Sequence, residues 1–125
     1  MNHIGEVMKM TEDKRRLANE INSLSQEAYS TAWKNGFHDP DSESNQTGMA
    51  LALIHSEISE ALEALRKGNP SDTHCPEYKK FEIELADAVI RILDLAGSQD
   101  MDIGGAILEK MRYNSSRPYR HGKKF

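Results

Sequence analysis

Two pairs of acidic residues are the part of this sequence best suited to chemistry. The first pair is Glu57 and Glu60, and the second is Glu84 and Asp87. Residues three apart on an α-helix lie on one face, so two helices could bring these four carboxylates to one place. Converging carboxylates repel one another, and burying them requires a counter-charge. Mg²⁺ binds carboxylate oxygens together with substrate phosphates, so the spacing indicates a metal site for phosphate chemistry.

The residues around each pair indicate that the carboxylates are partly buried. On the helix with the second pair, apolar residues form two stripes, which is typical of burial on several sides. Its polar residues form one strip, made of Lys80, Glu84, Asp87 and Arg91, with Asp94 at its edge. The first pair lies among alanines and leucines. The second apolar stripe also predicts a contact between subunits.

A simpler interpretation of the second pair is open. Lys80 with Glu84, and Asp87 with Arg91, stand at the i, i+4 spacing of ordinary helical ion pairs. Each exposed pair of that kind contributes only about 0.3–0.5 kcal/mol. On this interpretation the acidic strip is a solvated face with no metal.

The end of the chain is basic. After Glu109 it has no acidic residue and six basic ones: Lys110, Arg112, Arg117, Arg120, Lys123 and Lys124. Lys110, Asn114 and Arg117 share one helical face if the helix persists, and Tyr113 and Tyr119 add hydroxyl groups. Lys, Arg and Asn suit phosphate oxygens. A solvated basic tail is the alternative.

Helical periodicity predicts four helices that would position these residues, at about 11–35, 45–67, 77–97 and 102–115. Asn35-Gly36, Gly68-Asn69-Pro70 and Gly97 end the first three, and Asp102 is a candidate cap for the fourth. Loops are expected at 37–45 and 68–76, and an extended tail after Pro118. We therefore expect one all-α domain over 1–125, a four-helix bundle with a helical body at 11–115 and a basic tail at 116–125.

Together these motifs resemble the MazG-like nucleoside triphosphate pyrophosphohydrolases, of the all-α family that also holds dimeric dUTPases and dCTP pyrophosphatases. The resemblance rests on Glu57-Ile58-Ser59-Glu60, on Glu84-Leu85-Ala86-Asp87 and on the ending from Lys110 to Lys123, and it covers about residues 15–125. One departure is Ser56, because many members have a second glutamate there. That departure leaves the number of metal ions open.

The resemblance implies Mg²⁺-dependent hydrolysis of (deoxy)nucleoside triphosphates to a monophosphate and pyrophosphate, with Mn²⁺ as a possible substitute. The implied metal ligands and catalytic residues are Glu57, Glu60, Glu84 and Asp87, with Glu57 or Glu60 as general base. The implied triphosphate contacts are Lys110, Asn114, Arg117 and Tyr119. It also implies a homodimer or homotetramer in which the tail can reach a neighbouring subunit's site.

Candidates for holding the nucleobase are Trp33, Phe37 and His38, at the end of the first predicted helix. Core or loop packing explains Trp33 and Phe37 equally well. For His38 we favour a solvated loop position over a role in recognition.

Several other classes are excluded or less favoured. None of the five histidines has a glutamate three residues earlier, which argues against a di-iron bundle. No apolar run is long enough for a membrane span, and residues 1–10 lack a signal-peptide core, so the cytoplasm is the expected compartment. The alternative function is a non-catalytic helical oligomerisation module with a basic nucleic-acid-binding tail. The net charge of −4 makes nucleic acid an unlikely partner of the whole chain.

Overall fold

The fold is all-α, as predicted. The computed structural model describes residues 3–41 and 46–125, with side chains from Thr11 onward. In that part of the chain the helices are α1 (His3–Lys34), α2 (Thr47–Arg66), α3 (Lys80–Ser98) and α4 (Ile103–Ser115). These residues form no β-strand, only one isolated antiparallel bridge between Ser71 and Lys79. No helix among them is long and apolar enough to cross a membrane.

The helix α3 lies at the centre of the packing. It packs against both α1 and α2, whereas α4 packs against α1. Within the described residues, α2 and α4 therefore each have one principal neighbour, and a single chain forms an open arrangement of helices. The two carboxylate-bearing helices, α2 and α3, are direct neighbours, which is what a shared site requires.

Small residues let the helices approach closely. The buried apolar core among the described residues consists of Ala18, Ala61, Ala64, Ala88, Leu93 and Ala96. At Gly97, an added Cβ would lie 2.8 Å from the backbone oxygen of Ser25, and at Gly104 it would collide with the backbone of Ala18. Backbone contacts of this kind explain why α1 holds both α3 and α4 without large buried side chains.

Two helix boundaries differ from the prediction. The helix α1 begins at His3 rather than near residue 11, because no proline between these positions interrupts it. The helix α3 begins at Lys80 rather than near residue 77. The preceding residues are held in a loop by Asn69, whose Oδ1 accepts from the Phe81 backbone N–H at 2.9 Å, and by Asp72, which accepts from two loop amides. Such side-chain bonds to the backbone compete with helix formation.

The other predicted connections agree in part with the structure. The loop predicted at 37–45 is described as far as Asp41, residues 42–45 lie outside the described residues, and α2 begins at Thr47. Asp102 caps α4 as expected, because its side chain accepts from the Gly105 N–H at 3.0 Å. The tail after Pro118 is not fully extended. A short 3-10 turn spans Tyr119–Gly122, with φ of 56° at Arg120 and 54° at His121.

Candidate metal centre and adjoining pocket

Three of the four predicted ligands converge. Glu57 on α2 and Glu84 and Asp87 on α3 each offer a carboxylate oxygen, and these oxygens lie within 4.8 Å of one another. Glu84 is buried, and the other two are half-buried. We call these three residues the carboxylate cluster. The predicted i, i+3 geometry of α3 is therefore realised, and α2 adds one acidic residue from across the helix pair.

Two basic side chains partly neutralise the carboxylate cluster. The Lys80 Nζ lies 3.2 Å from Glu84 Oε1, which is the i, i+4 pair of the simpler interpretation. Arg91 does not follow that interpretation. Its Nε donates to Glu57 Oε1 at 2.8 Å, so it links α3 to α2 rather than pairing with Asp87.

The raised pKa values of Glu84 and Asp87 indicate that negative charge is unfavourable at these two positions. Burial raises the pKa of Glu84, although its hydrogen bond with Lys80 opposes the rise. Burial also raises the pKa of Asp87, the negative charge of Glu57 adds to the rise, and Arg91 opposes it. A divalent cation would relieve the same repulsion, and three hard oxygen donors at this spacing fit Mg²⁺ or Mn²⁺. The residues present therefore fit the metal that the resemblance implies.

Glu60, the fourth predicted ligand, stands apart from the cluster. It is exposed and lies one helical turn beyond Glu57. The pKa of Lys80 is raised chiefly by its hydrogen bond with Glu84, and the charge of Glu60 adds to the rise. Ser56, at the position where many relatives in the suspected family have glutamate, donates its hydroxyl hydrogen to the Leu53 backbone oxygen at 2.6 Å. It takes no part in the cluster.

A pocket of about 840 Å³ opens beside the carboxylate cluster, between α1, α2 and α3. Glu57, Asp87 and Arg91 line one part of it, and Asp94 lies further along α3. Its apolar wall is formed by Leu24, Ala28, Ala32, Phe37, Ala50, Leu53, Val89, Ile90 and Leu93. Glu27, Thr31 and Asn35 also line the pocket. A mainly apolar wall with several polar groups suits a ligand that has both apolar and polar parts.

The aromatic residues predicted to bind a base have different positions. Phe37 lines the pocket, and the Arg91 guanidinium lies 5.8 Å from its ring centroid. Trp33 is 55% exposed and does not line the pocket. It packs against Tyr29 and stacks on His38, with ring centroids 6.4 and 6.1 Å away.

The solvated position favoured for His38 is wrong. This side chain is only 9% exposed, and its Nε2 lies 2.6 Å from Asp94 Oδ1. Tyr29 contacts it edge-on at a centroid distance of 4.8 Å. The sequence did not show this pair, because the partner lies 56 positions away and no periodicity connects a loop residue to a distant helix. The position of Asp94 on the polar strip of α3 was the one available signal.

The predicted triphosphate contacts lie on α4 and in the segment that follows it. The Lys110 Nζ and the Arg117 Cζ lie 4.6 and 5.5 Å from the centroid of the Tyr113 ring. Asn114 and Tyr119 are exposed near them. None of these residues lines the pocket. Within one chain the structure does not bring them to the carboxylate cluster, so their role in phosphate binding stays a prediction that depends on a second subunit.

Comparison with known proteins adds no relative. No protein-family model, no curated protein and no solved structure matches this chain. The function therefore has to be argued from the carboxylate cluster and its pocket.

Proposed function

We propose that this chain is a nucleoside triphosphate pyrophosphohydrolase that acts with Mg²⁺. The observation that carries the proposal is the convergence of Glu57, Glu84 and Asp87 at the edge of a pocket large enough for a nucleoside. A triphosphate would use a divalent cation for its phosphates and a pocket for its base, and the proposal is supported by the carboxylate cluster lying beside such a pocket. The resemblance in the acidic motifs and in the basic ending supports the same reaction.

In the proposed reaction, a water oxygen forms a bond to the α-phosphorus, and the bond from that phosphorus to the α–β bridging oxygen breaks. The products are a monophosphate and pyrophosphate. The three carboxylates would hold Mg²⁺, which supplies charge neutralisation and a more acidic bound water. A carboxylate of this region, Glu57 or Glu60, accepts the proton of the attacking water. Arg91 orients Glu57 through the hydrogen bond between them and adds positive charge on the side of the pocket.

We also propose that the protein works as a homo-oligomer. Four large apolar side chains on one face of α2 are about half exposed: Leu51, Ile58, Leu62 and Leu65. A second subunit would cover this stripe, since contiguous apolar surface on a soluble chain marks a contact site. Assembly would also offer a route for the Lys110, Asn114 and Arg117 group of one chain to reach the pocket of another.

The test is a product assay over a panel of nucleoside triphosphates with Mg²⁺. We expect monophosphate and pyrophosphate in equal amounts, with no orthophosphate. Glu84→Gln and Asp87→Asn should each lower kcat/KM by more than about 100-fold, because loss of a residue that only supports a metal ligand already costs 10–100-fold. Glu82→Gln is the matched control, since Glu82 is an exposed residue of the same helix.

The alternative function, a non-catalytic module with a nucleic-acid-binding tail, makes the opposite prediction. It requires no turnover of any nucleotide, together with DNA or RNA binding that is lost when Lys110 and Arg117 are replaced. A double variant, Glu84→Gln with Asp87→Asn, that keeps full hydrolytic activity and normal helicity would also contradict the proposed metal centre.

A further inference from the structure

A second acidic position lies in the pocket, away from the carboxylate cluster. Asp87, Arg91 and Asp94 occupy positions i, i+4 and i+7 of α3 and therefore share one face. All three line the pocket. Seven residues of α-helix correspond to about 10 Å along the axis. Asp94 is therefore about two helical turns away from the carboxylate cluster.

The Asp94 carboxylate is held in one orientation. His38 Nε2 lies 2.6 Å from Oδ1, and an ionised carboxylate only accepts hydrogen bonds, so the imidazole donates. The imidazole itself is fixed by Tyr29 and by Trp33, which contact it edge-on and face-on. Among the described residues, Oδ1 is the only atom of this carboxylate with a hydrogen-bond partner. Because Asp94 also lines the pocket, its second oxygen is left as an acceptor of fixed orientation beside that space.

An oriented acceptor discriminates between nucleobases. Cytosine and adenine carry an exocyclic amino group that donates, at the position where uracil, thymine and hypoxanthine carry an oxygen that only accepts. Where the exocyclic group itself faces the carboxylate oxygen, an oxo group makes no hydrogen bond and leaves both atoms desolvated. Uracil, thymine and hypoxanthine also carry a ring N–H one atom away, which would reach this oxygen only if the base shifted in the pocket.

We infer that Asp94, positioned by His38, is a specificity-determining residue that selects nucleotides whose base carries an exocyclic amino group at this edge. The inference rests on the proposed function, because it places the phosphates at the carboxylate cluster. It adds the substrate class: cytosine and adenine nucleotides over their oxo counterparts.

Two matched substrate pairs test the inference with the intact protein and Mg²⁺. The pairs are dCTP with dUTP and dATP with dITP, each differing in an amino or an oxo group at one ring carbon. We expect kcat/KM to favour the amino member of each pair by at least about 100-fold, as in sites built around one substrate hydrogen bond. Ratios near one for both pairs would overturn the inference.

The variant Asp94→Asn separates recognition from a structural role. His38 would still donate to Oδ1, so the new amide NH₂ would point into the pocket as a donor. We expect the preference to invert in both pairs, towards dUTP and dITP. If Asp94 only anchors the loop after α1, the variant lowers all four kcat/KM values by one factor and leaves the ratios unchanged, which overturns the inference.

A binding measurement keeps the two proposals apart. Titration calorimetry with dCMP and dUMP reports base selection without any turnover. Hydrolysis of all four triphosphates with equal binding of dCMP and dUMP overturns the inference alone. Tighter binding of dCMP without hydrolysis of any triphosphate overturns the proposed function, while the selection by Asp94 stands as a property of the pocket.

Discussion

At the scale of single residues, burial and pairing divide the acidic side chains into distinct groups. Glu57, Glu84 and Asp87 share one site, whereas Glu60 is exposed beside it. The acidic motifs predicted that two helices would bring their carboxylates together, and three of the four carboxylates do lie together. They could not predict which side chains turn inward, because the choice depends on Lys80 and Arg91, whose partners are set by tertiary packing.

The separation of Glu60 leads to a prediction about metal affinity. We expect Glu60→Gln to weaken Mg²⁺ binding less than Glu57→Gln, because only Glu57 already has an oxygen near those of Glu84 and Asp87. Titration of Mg²⁺ into each variant gives the two dissociation constants. Equal losses would mean that Glu60 turns inward to bind the metal, as the four-ligand motif of the suspected family implies.

At the scale of helices, side chains in the connections between helices make hydrogen bonds that fix where the helices begin. Asp102 ties the start of α4 to α1: it accepts from Arg15 at 3.0 Å and from Asn22 at 2.7 Å, and it caps its own helix through Gly105. Helical periodicity and cap chemistry predicted this helix to within one residue at its start. They did not predict the start of α3, where the side chains of Asn69 and Asp72 accept backbone hydrogen bonds that hold a loop. The spacing of apolar residues gives no sign of such bonds.

The contacts of Asp102 predict a pH dependence of stability. Hydrogen bonds from Arg15, Asn22 and the Gly105 amide hold the pKa of Asp102 well below its ordinary value of 3.8. A lowered pKa in the folded state means that this carboxylate stabilises the fold above pH 3.8 and that the contribution is lost as the pH falls towards the folded value. We therefore expect Asp102→Asn to lower Tm at pH 7 and the difference from the native protein to narrow below about pH 4.

Asp100 provides the control for this prediction. It is exposed in the same connection, two residues earlier. Melting curves for both variants between pH 3 and pH 7 should show a deficit for Asp102→Asn alone. A deficit of the same size at every pH would mean that the charge of Asp102 contributes nothing, and that the substitution acts through shape.

At the scale of the whole molecule, a single chain leaves much of its large apolar surface exposed. The fully buried apolar residues are mostly alanines, while large apolar side chains on α2 remain about half exposed. The class of the fold followed from the sequence, because four periodic segments without strand patterns leave few alternatives. The open packing of the helices could not be predicted from the sequence, because periodicity shows that a helix has apolar faces but not which neighbour covers them.

This exposure predicts a measurable assembly. We expect light scattering to give the mass of a dimer or tetramer for the native protein, and of a single chain for Leu62→Lys, because a buried lysine without a partner disrupts an apolar contact. Ser59→Lys adds the same charge at an exposed position of α2 outside the stripe and should leave the mass unchanged. A native protein with the mass of one chain would contradict the proposed oligomer.

The alanines of α2 have a consequence for which ion the proposed metal centre would accept. The two buried alanines of this helix, Ala61 and Ala64, follow Glu57 at i+4 and i+7. They therefore lie on the same face of α2 as Glu57, against α3. Their size sets how closely the two backbones approach, and thereby the span between carboxylates on opposite helices. Mg²⁺ needs oxygens at about 2.0–2.1 Å, whereas Ca²⁺ accepts about 2.3–2.6 Å.

A bulkier side chain should therefore shift the preference of the carboxylate cluster towards an ion of larger radius. We expect Ala61→Val to lower Mg²⁺ affinity while Ca²⁺ affinity is kept or rises, and Ala52→Val, at an exposed position of the same helix, to change neither. Calorimetric titrations with both ions check this, and an unchanged ratio of the two affinities would speak against it. Two buried methyl groups that bind no ion themselves would then determine how well the proposed centre distinguishes Mg²⁺ from Ca²⁺.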